Sequence, residues 1–265
     1  MLDLWPSLSD NPFVMSASTR RAFLQSATAA TLLGTQARAA TAPLRVQYTT
    51  GSHTVPLQQY AMFDDDLFAD LDTLVRPHPG AFDGLSGTAA KPGPDVLVLG
   101  DYMTTGWPEP DRAHVQKYLD AGKGLVVLHH AVGDNQAWPW WYEEVTGGAL
   151  LQRDLPGKLR SGLKQFPRQK LTPVGDHPIV RSIQPFTLPQ DELFYNMWFS
   201  PKIKVLLRSD DPDLANVNGT IAWTGVHPKA RVVCFQSGHT DFVNSDPRYR
   251  KLVHNMILWA GGRLT

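Results

Sequence analysis

The chain has a single cysteine among its 265 residues, which excludes a disulfide framework within one copy. Cys234 lies in the apolar run Val232-Val233-Cys234-Phe235, a pattern typical of a buried strand. A thiol in such a run behaves as a small hydrophobic group. We therefore expect a buried, inert Cys234 rather than a nucleophile, and a core that packing alone stabilises.

Net charge and a glycine-rich phosphate loop are also lacking. Lysine and arginine number 25, as do aspartate and glutamate, so the formal net charge is zero. A neutral chain does not attract a polyanion by counterion release, which argues against nucleic acid as a partner. Neither Gly51-Ser52-His53 nor Gly147-Gly148 matches the G-x-G-x-x-G fingerprint, so a dinucleotide cofactor is not expected.

A transmembrane helix near the start of the chain is not expected, because the apolar stretch from Ala27 to Gly34 is too short to span a bilayer. The pair Arg20-Arg21 precedes it, and the A-x-A site Ala37-Arg38-Ala39 follows. This order predicts a twin-arginine export signal over residues 1–39, with Met15 as an alternative start. An amphipathic helix is the other interpretation. We expect a mature chain of residues 40–265, periplasmic or secreted, with no membrane association after cleavage.

Strand and helix patterns alternate along the mature chain. Apolar runs predict strands at residues 45–48, 95–99, 124–128, 204–207, 220–223 and 231–235, and helical spacing predicts helices over residues 58–75, 109–121, 138–145 and 247–261. The stretch from 150 to 189 is less regular and is expected to form loops and edge strands. This alternation predicts one α/β domain with a mainly parallel sheet and helices on both faces.

Histidines follow three of the predicted strands: His53, the pair His129-His130, and His239. Ligands bind beyond the carboxyl ends of parallel strands, so these side chains are expected at one rim. Either they are structural residues held by hydrogen bonds, or they form a functional cleft. Because neighbouring side chains on a strand point to opposite faces, we expect only one of the pair, His129, to face the cleft.

Several motifs resemble those of the ThuA-like (trehalose utilisation) family, in the family's order over nearly the whole mature chain. They lie at residues 124–131, 176–179, 191–195, 222–223 and 236–263. The resemblance implies a flavodoxin-like, class I glutamine-amidotransferase-like sheet, and a link to sugar metabolism, especially to disaccharides oxidised at the 3-position of a glucosyl unit. Amidotransferases hold a nucleophilic cysteine in the turn after the central strand. Here that turn holds His129 and His130, so amidotransferase activity is not expected.

The expected constellation is His53, His129 and His239 with Glu192. The three histidines can hold a divalent metal, zinc or similar. Alternatively, His129, Glu192 and His239 can act as catalytic acid and base. The separations along the chain form no ligand-spacing motif, so the sequence does not assign a cofactor. A solvated turn after Pro189 is the alternative for Asp191 and Glu192.

Aromatic side chains near this rim are candidates for stacking on a sugar. Trp138 and Trp141 follow the histidine pair, Tyr195 lies shortly after Glu192, and Trp223 ends a predicted strand. Together with His53 and His130 they form the predicted substrate-binding set. Core packing is the alternative for the tryptophans.

These observations predict an exported protein that processes a 3-keto-glycoside or a disaccharide, as a lyase, hydrolase or isomerase. The competing hypothesis is a non-catalytic module that binds a sugar or a partner subunit. A small carbohydrate is the expected partner, and the sequence leaves the oligomeric state open.

Overall fold

A computed structural model describes residues 42–51, 57–103, 106–165 and 167–265. The export signal predicted over residues 1–39 and the candidate site residue His53 lie outside these ranges. Among the described residues, no helix combines the length and the apolar character needed to cross a bilayer.

The described residues form thirteen strands and four α-helices. The strands are Leu44–Thr50 (β1), Leu71–Pro77 (β2), Val96–Leu99 (β3), Gly124–Leu128 (β4), Gly148–Ala149 (β5), Gly162–Gln165 (β6), Gln169–Pro173 (β7), Phe186–Leu188 (β8), Glu192–Tyr195 (β9), Trp198–Phe199 (β10), Lys204–Ser209 (β11), Thr220–Thr224 (β12) and Val232–Phe235 (β13). The helices are Leu57–Ala61 (α1), Glu109–Asp120 (α2), Asp241–Asn244 (α3) and Pro247–Ala260 (α4).

Nine strands form the main sheet, in the order β2-β1-β3-β4-β13-β12-β11-β7-β8. The first five are parallel, in a flavodoxin-like order. The remaining pairings, from β13–β12 to β7–β8, are antiparallel. The predicted α/β fold is confirmed, and the antiparallel half extends the sheet with β7 and β8 from the stretch predicted to hold edge strands.

Alternating side chains of the central strands pack into two cores, one on each face of the sheet. On β4, Val126 and Leu128 join one core with α4, whereas Leu125 and Val127 join the other with α2. A strand covered on both faces is apolar throughout, which is why the runs of β3, β4 and β13 were readable in the sequence.

The helix predicted over residues 58–75 is wrong beyond α1. After α1 the chain forms two 3-10 turns, and the side chain of Asp65 accepts a hydrogen bond from Leu67 N (3.0 Å). Such local bonds compete with a continuing helix. The end of the predicted helix is instead the edge strand β2, paired in parallel with β1, and its Leu74 and Val75 are exposed.

Two local features concern single side chains, and the second confirms the prediction of a buried Cys234. The side chain of Asp246 caps α4 by accepting from Arg248 N. Cys234 is buried and free, and burial raises the pKa of its thiol. An un-ionised thiol in the core of the sheet is not a nucleophile.

Candidate functional site

Two adjacent parallel strands, β4 and β13, deliver three histidines to one place. His129 and His130 open a short 3-10 helix directly after β4, and His239 follows β13. His129 Nε2 lies 3.1 Å from His239 Nδ1. Of the histidines predicted to meet at the carboxyl ends of the strands, His129, His130 and His239 lie together, and His53 is outside the described residues.

Glu192 completes this group from outside the main sheet, as the first residue of β9, which pairs with β6. Its Oε2 lies 3.1 Å from His130 Nε2, 3.6 Å from His129 Nε2 and 3.5 Å from His239 Nδ1. One nitrogen of each histidine and one carboxylate oxygen all lie within 4.8 Å of one another. We call these four residues the histidine–glutamate cluster. Glu192 is 4% exposed, so the alternative of a solvated turn is wrong.

The prediction that only one of His129 and His130 faces the cleft is also wrong. β4 ends at Leu128, and His129 takes a left-handed backbone conformation with φ of 48°. The alternation of side chains along a strand does not continue through such a turn. The two rings lie side by side, with centroids 3.9 Å apart, and both reach Glu192.

A glycine allows the chain to approach the cluster closely after β13. Gly238 has φ of 135°, and a Cβ atom there would lie 2.6 Å from Tyr249 Oη and 3.4 Å from His129 Cβ. Asn244 Nδ2 donates to Gly238 O (2.8 Å), which fixes the same turn. This tight turn positions the backbone of His239 beside His129.

The main chain just after β13 sets the orientation of the His129 ring. His129 Nδ1 lies 2.8 Å from the carbonyl oxygen of Gln236. Because a carbonyl only accepts, Nδ1 donates, and Nε2 of the neutral ring carries its lone pair towards Glu192 and His239. Gln236 also accepts from Phe194 N (2.9 Å) through its side chain, which ties β9 to the same segment.

Asp191 lies beneath the cluster and is fully buried. Its Oδ1 accepts from Gly238 N (3.2 Å) and His239 N (3.0 Å). Burial raises the pKa of Asp191, and the hydrogen bonds from His239, Glu192 and Gly238 N–H groups oppose that rise. The sequence singled out the pair Asp191-Glu192 without assigning Asp191 this positioning role.

Aromatic rings border the cluster, but they are not those that the sequence favoured. Phe194 stacks on His129, with centroids 5.2 Å apart and planes 17° apart. Tyr102 lies 5.4 Å from the ring of His130. Burial raises the pKa of Tyr102, although its hydrogen bond from Gln152 opposes this.

The predicted sugar-stacking residues are mostly placed elsewhere. Trp141 and Trp223 are buried in the core, at 1% and 0% exposure, so neither presents a face to a ligand, and the core-packing alternative holds for both. Tyr195 packs against the core on one face of the sheet, whereas Phe194, next to it on β9, belongs to the other core. Trp138 is half-buried against Trp140, with ring centroids 4.8 Å apart.

A second polar group lies at the end of β3, and sequence reasoning missed it. His78 Nε2 and Asp101 Oδ2 are 2.7 Å apart and both side chains are buried. Asp134 accepts from Met103 N, and burial together with the charge of Asp101 raises the pKa of Asp134. The available signal was Asp101 itself, a charged residue directly after an apolar strand and a glycine.

Comparisons with known proteins agree with this architecture. A family model described as trehalose utilisation (ThuA) matches residues 93–260, more than half of the chain. No curated protein sequence matches the chain.

Solved structures of ThuA-like proteins are similar in fold. One from Parabacteroides merdae has a TM-score of 0.70 and 17% identity, covering 84% of this chain and 92% of that one. Another, from Bacteroides uniformis, has a TM-score of 0.62 and 17% identity, with coverages of 86% and 95%. A cytoplasmic protein of Salmonella typhimurium has a TM-score of 0.58 and 15% identity, with coverages of 82% and 99%. At these identities the likeness shows the fold alone.

Proposed function

Because this chain belongs to the trehalose utilisation (ThuA) family, we propose that it acts on a carbohydrate, and specifically on a glycoside oxidised to a ketone at C3 of a glucosyl unit. The family is associated with carbohydrate metabolism. The oxidised substrate is our own assignment, and the chemistry of the histidine–glutamate cluster is its support.

The observation that carries the proposal is the convergence of three imidazoles and one carboxylate on the carboxyl ends of β4 and β13. Imidazole exchanges protons near neutral pH, and a carboxylate within hydrogen-bonding distance orients it. His130 Nε2 and Glu192 Oε2, 3.1 Å apart, form such a pair. The rim is also where parallel sheets of this kind bind ligands.

The reaction begins at C2 of the sugar. The ketone at C3 acidifies the C2 proton, which a base of the cluster, Glu192 or an imidazole, removes. A protonated imidazole or a bound cation stabilises the enolate oxygen. As the enolate collapses, a C1–C2 double bond forms and the C1–O bond breaks. The departing oxygen takes up the proton that the base removed from C2, and leaves as an alcohol. Return of the proton to another carbon, without this cleavage, gives isomerisation.

Export places this chemistry outside the cytoplasm in our proposal, and the support is the Arg20-Arg21 motif followed by Ala37-Arg38-Ala39. The N-terminal sequence of protein recovered from the periplasm or medium tests it. A start near Ala40 supports export, and cytoplasmic protein with an intact N-terminus contradicts it.

Turnover is tested by mixing the purified chain with 3-keto-glucosides and following the sugar protons by NMR. We expect Glu192→Gln and His239→Ala to lower kcat by about 100-fold or more, the usual scale of acid–base catalysis. His114→Ala is the matched control, since this histidine lies on α2 and outside the cluster. Circular dichroism checks the fold of each variant.

Two results would contradict the proposal. Full turnover by both cluster variants would remove the assignment of the site. Binding of the sugars with no turnover by the unaltered chain would favour the competing hypothesis, a carbohydrate-binding module without catalysis.

A further inference from the structure

We propose that the histidine–glutamate cluster holds a divalent transition-metal ion. The ligand atoms are Nε2 of His129, Nε2 of His130, Oε2 of Glu192 and Nδ1 of His239. This set differs from the one expected from the sequence, because His130 and Glu192 join it and His53 lies outside the described residues. Metal binding is a property of these four residues; only its catalytic role rests on the proposed function.

The separations between the ligand atoms fit a small metal ion. Four ligands at the bond lengths of zinc, arranged as a tetrahedron, stand about 3.3 Å from one another. The measured separations are 3.1 Å for His129–His239, 3.1 Å for His130–Glu192, 3.5 Å for His239–Glu192 and 3.6 Å for His129–Glu192. These four separations are close to those of such a tetrahedron, and the remaining two lie within 4.8 Å.

The surroundings orient one ligand ring and the backbone of another. Metal-binding histidines usually donate their other ring nitrogen to a carbonyl or carboxylate, which fixes the tautomer. His129 does so through Nδ1 to the Gln236 carbonyl, at 2.8 Å. For His239, Asp191 holds the main-chain N–H groups on either side of the turn at Gly238.

Charge and burial favour a cation at this position. The side chains of Glu192 and His129 are only 6% and 3% exposed, and a buried carboxylate requires a compensating positive charge. A divalent ion bound by these atoms would supply that charge.

The donor set indicates which metals bind. Three imidazoles and one carboxylate suit zinc, cobalt, nickel, copper or iron, whereas magnesium and calcium prefer oxygen ligands throughout. Four protein ligands fill a tetrahedral ion, so a substrate oxygen would enter as a fifth ligand. An ion held by these residues would supply a Lewis acid for the enolate oxygen of the proposed reaction.

The described residues contain one other group of this kind, Asp83, Asp111 and His114. It lies at α2, and the side chains of Asp83 and His114 are 73% and 42% exposed. Exposed carboxylates are solvated and bind transition metals weakly, so this group serves as an internal comparison. His114→Ala removes its histidine and leaves the cluster intact.

The test uses the full chain, stripped with dipicolinate, reloaded with Zn²⁺ or Co²⁺ and passed through a desalting column. We expect one retained ion per chain by mass spectrometry of the metal, with a Co²⁺ visible spectrum typical of nitrogen coordination. His239→Ala and Glu192→Gln should each weaken binding by about 100-fold or more, beyond the loss from disturbing an outer partner. His114→Ala should retain the ion with unchanged affinity. Circular dichroism shows that each variant is folded.

The proposal is overturned if the stripped chain retains no ion, or if the retained ion is lost in His114→Ala and kept in His239→Ala. Turnover of 3-keto-glucosides, measured on the same samples, separates this inference from the proposed function. A loaded protein that converts none of these sugars refutes the proposed function and leaves the metal site standing. Full turnover by metal-free protein refutes the catalytic role of the ion.

Discussion

Asp191 offers the sharpest perturbation of the site, because it touches the cluster only through the backbone. Its Oδ1 accepts from the main-chain N–H groups of Gly238, which is buried, and His239, which is partly buried. Asp191→Ala leaves both donors without this acceptor, and an unsatisfied buried polar group costs about 1 to 3 kcal/mol. Two such groups cost about 2 to 6 kcal/mol together, and removal of the buried carboxylate relieves its own desolvation, so we expect a net loss of about 2 to 4 kcal/mol in the free energy of unfolding.

Asp191→Asn is the matched comparison, since its amide oxygen still accepts both hydrogen bonds but carries no charge. We expect this variant to lose less, about 1 kcal/mol, the scale of weakening a charge-assisted bond. Urea unfolding followed by circular dichroism gives both values. If the alanine variant unfolds at the same urea concentration as the unaltered chain, the argument that these hydrogen bonds hold the turn at Gly238 is refuted.

The stability contributed by Asp191 should also depend on pH. Burial raises the pKa of Asp191 in the folded chain, so the folded state binds its proton more tightly than the unfolded state does. Stability therefore falls as pH rises from the ordinary aspartate pKa, about 3.9, through the higher folded value. The Asp191→Asn variant has no carboxyl group at this position and so lacks this pH-dependent loss. The difference in urea midpoint between the unaltered chain and Asp191→Asn should therefore narrow towards higher pH. A difference that widens with pH would contradict the direction of the shift.

Two further variants test a close contact at the site and a histidine outside the cluster. Gly238→Ala places a methyl group 2.6 Å from Tyr249 Oη at a backbone φ of 135°, so we expect a loss of about 2 kcal/mol or more, partly recovered when Tyr249→Phe is added; no recovery in urea unfolding would refute the clash. His177 has a pKa lowered to about 4, chiefly by burial, so its neutral form is favoured in the folded chain and stability should fall as pH drops from about 6.5 to 4. His177→Gln should flatten this loss between pH 7 and pH 5, and an unchanged slope would exclude His177 as its cause.

The sequence predicts those strands whose pattern of apolar residues matches their burial in the folded protein. β3, β4 and β13 are apolar throughout because both faces are covered, and that pattern is visible without a structure. β2 is different, because an edge strand is hydrogen-bonded on one side only and its side chains need not be buried. Leu74 and Val75 fit the helical spacing of apolar residues that begins near Gln58, yet both are exposed on β2. The strand conformation of this segment follows from its pairing with β1, which the local sequence does not reveal.

The site is predictable in its membership but not in its geometry. A histidine at a strand end and an acidic pair before an apolar run are local signals, and they identified His129, His239 and Glu192. The contact between His130 and Glu192 depends on a turn with positive φ at His129, for which the sequence offers no marker such as glycine. The sequence leaves sugar stacking and core packing open for the tryptophans, because burial of Trp141 and Trp223 depends on segments distant in the chain.

The assembly of the cluster from two sheets has a consequence for folding. His130 and Glu192 are 62 residues apart in the chain, and His129 and His239 are 110 apart. Closing loops of this length is entropically unfavourable, so contacts between such distant segments tend to slow folding. The β6–β9 ribbon is paired separately from the nine-stranded sheet, and a local opening of the ribbon would dismantle the cluster while the sheet stays intact. An ion bound by all four residues would act as a cross-link between these segments, and chelation would then loosen the ribbon before it loosened the sheet.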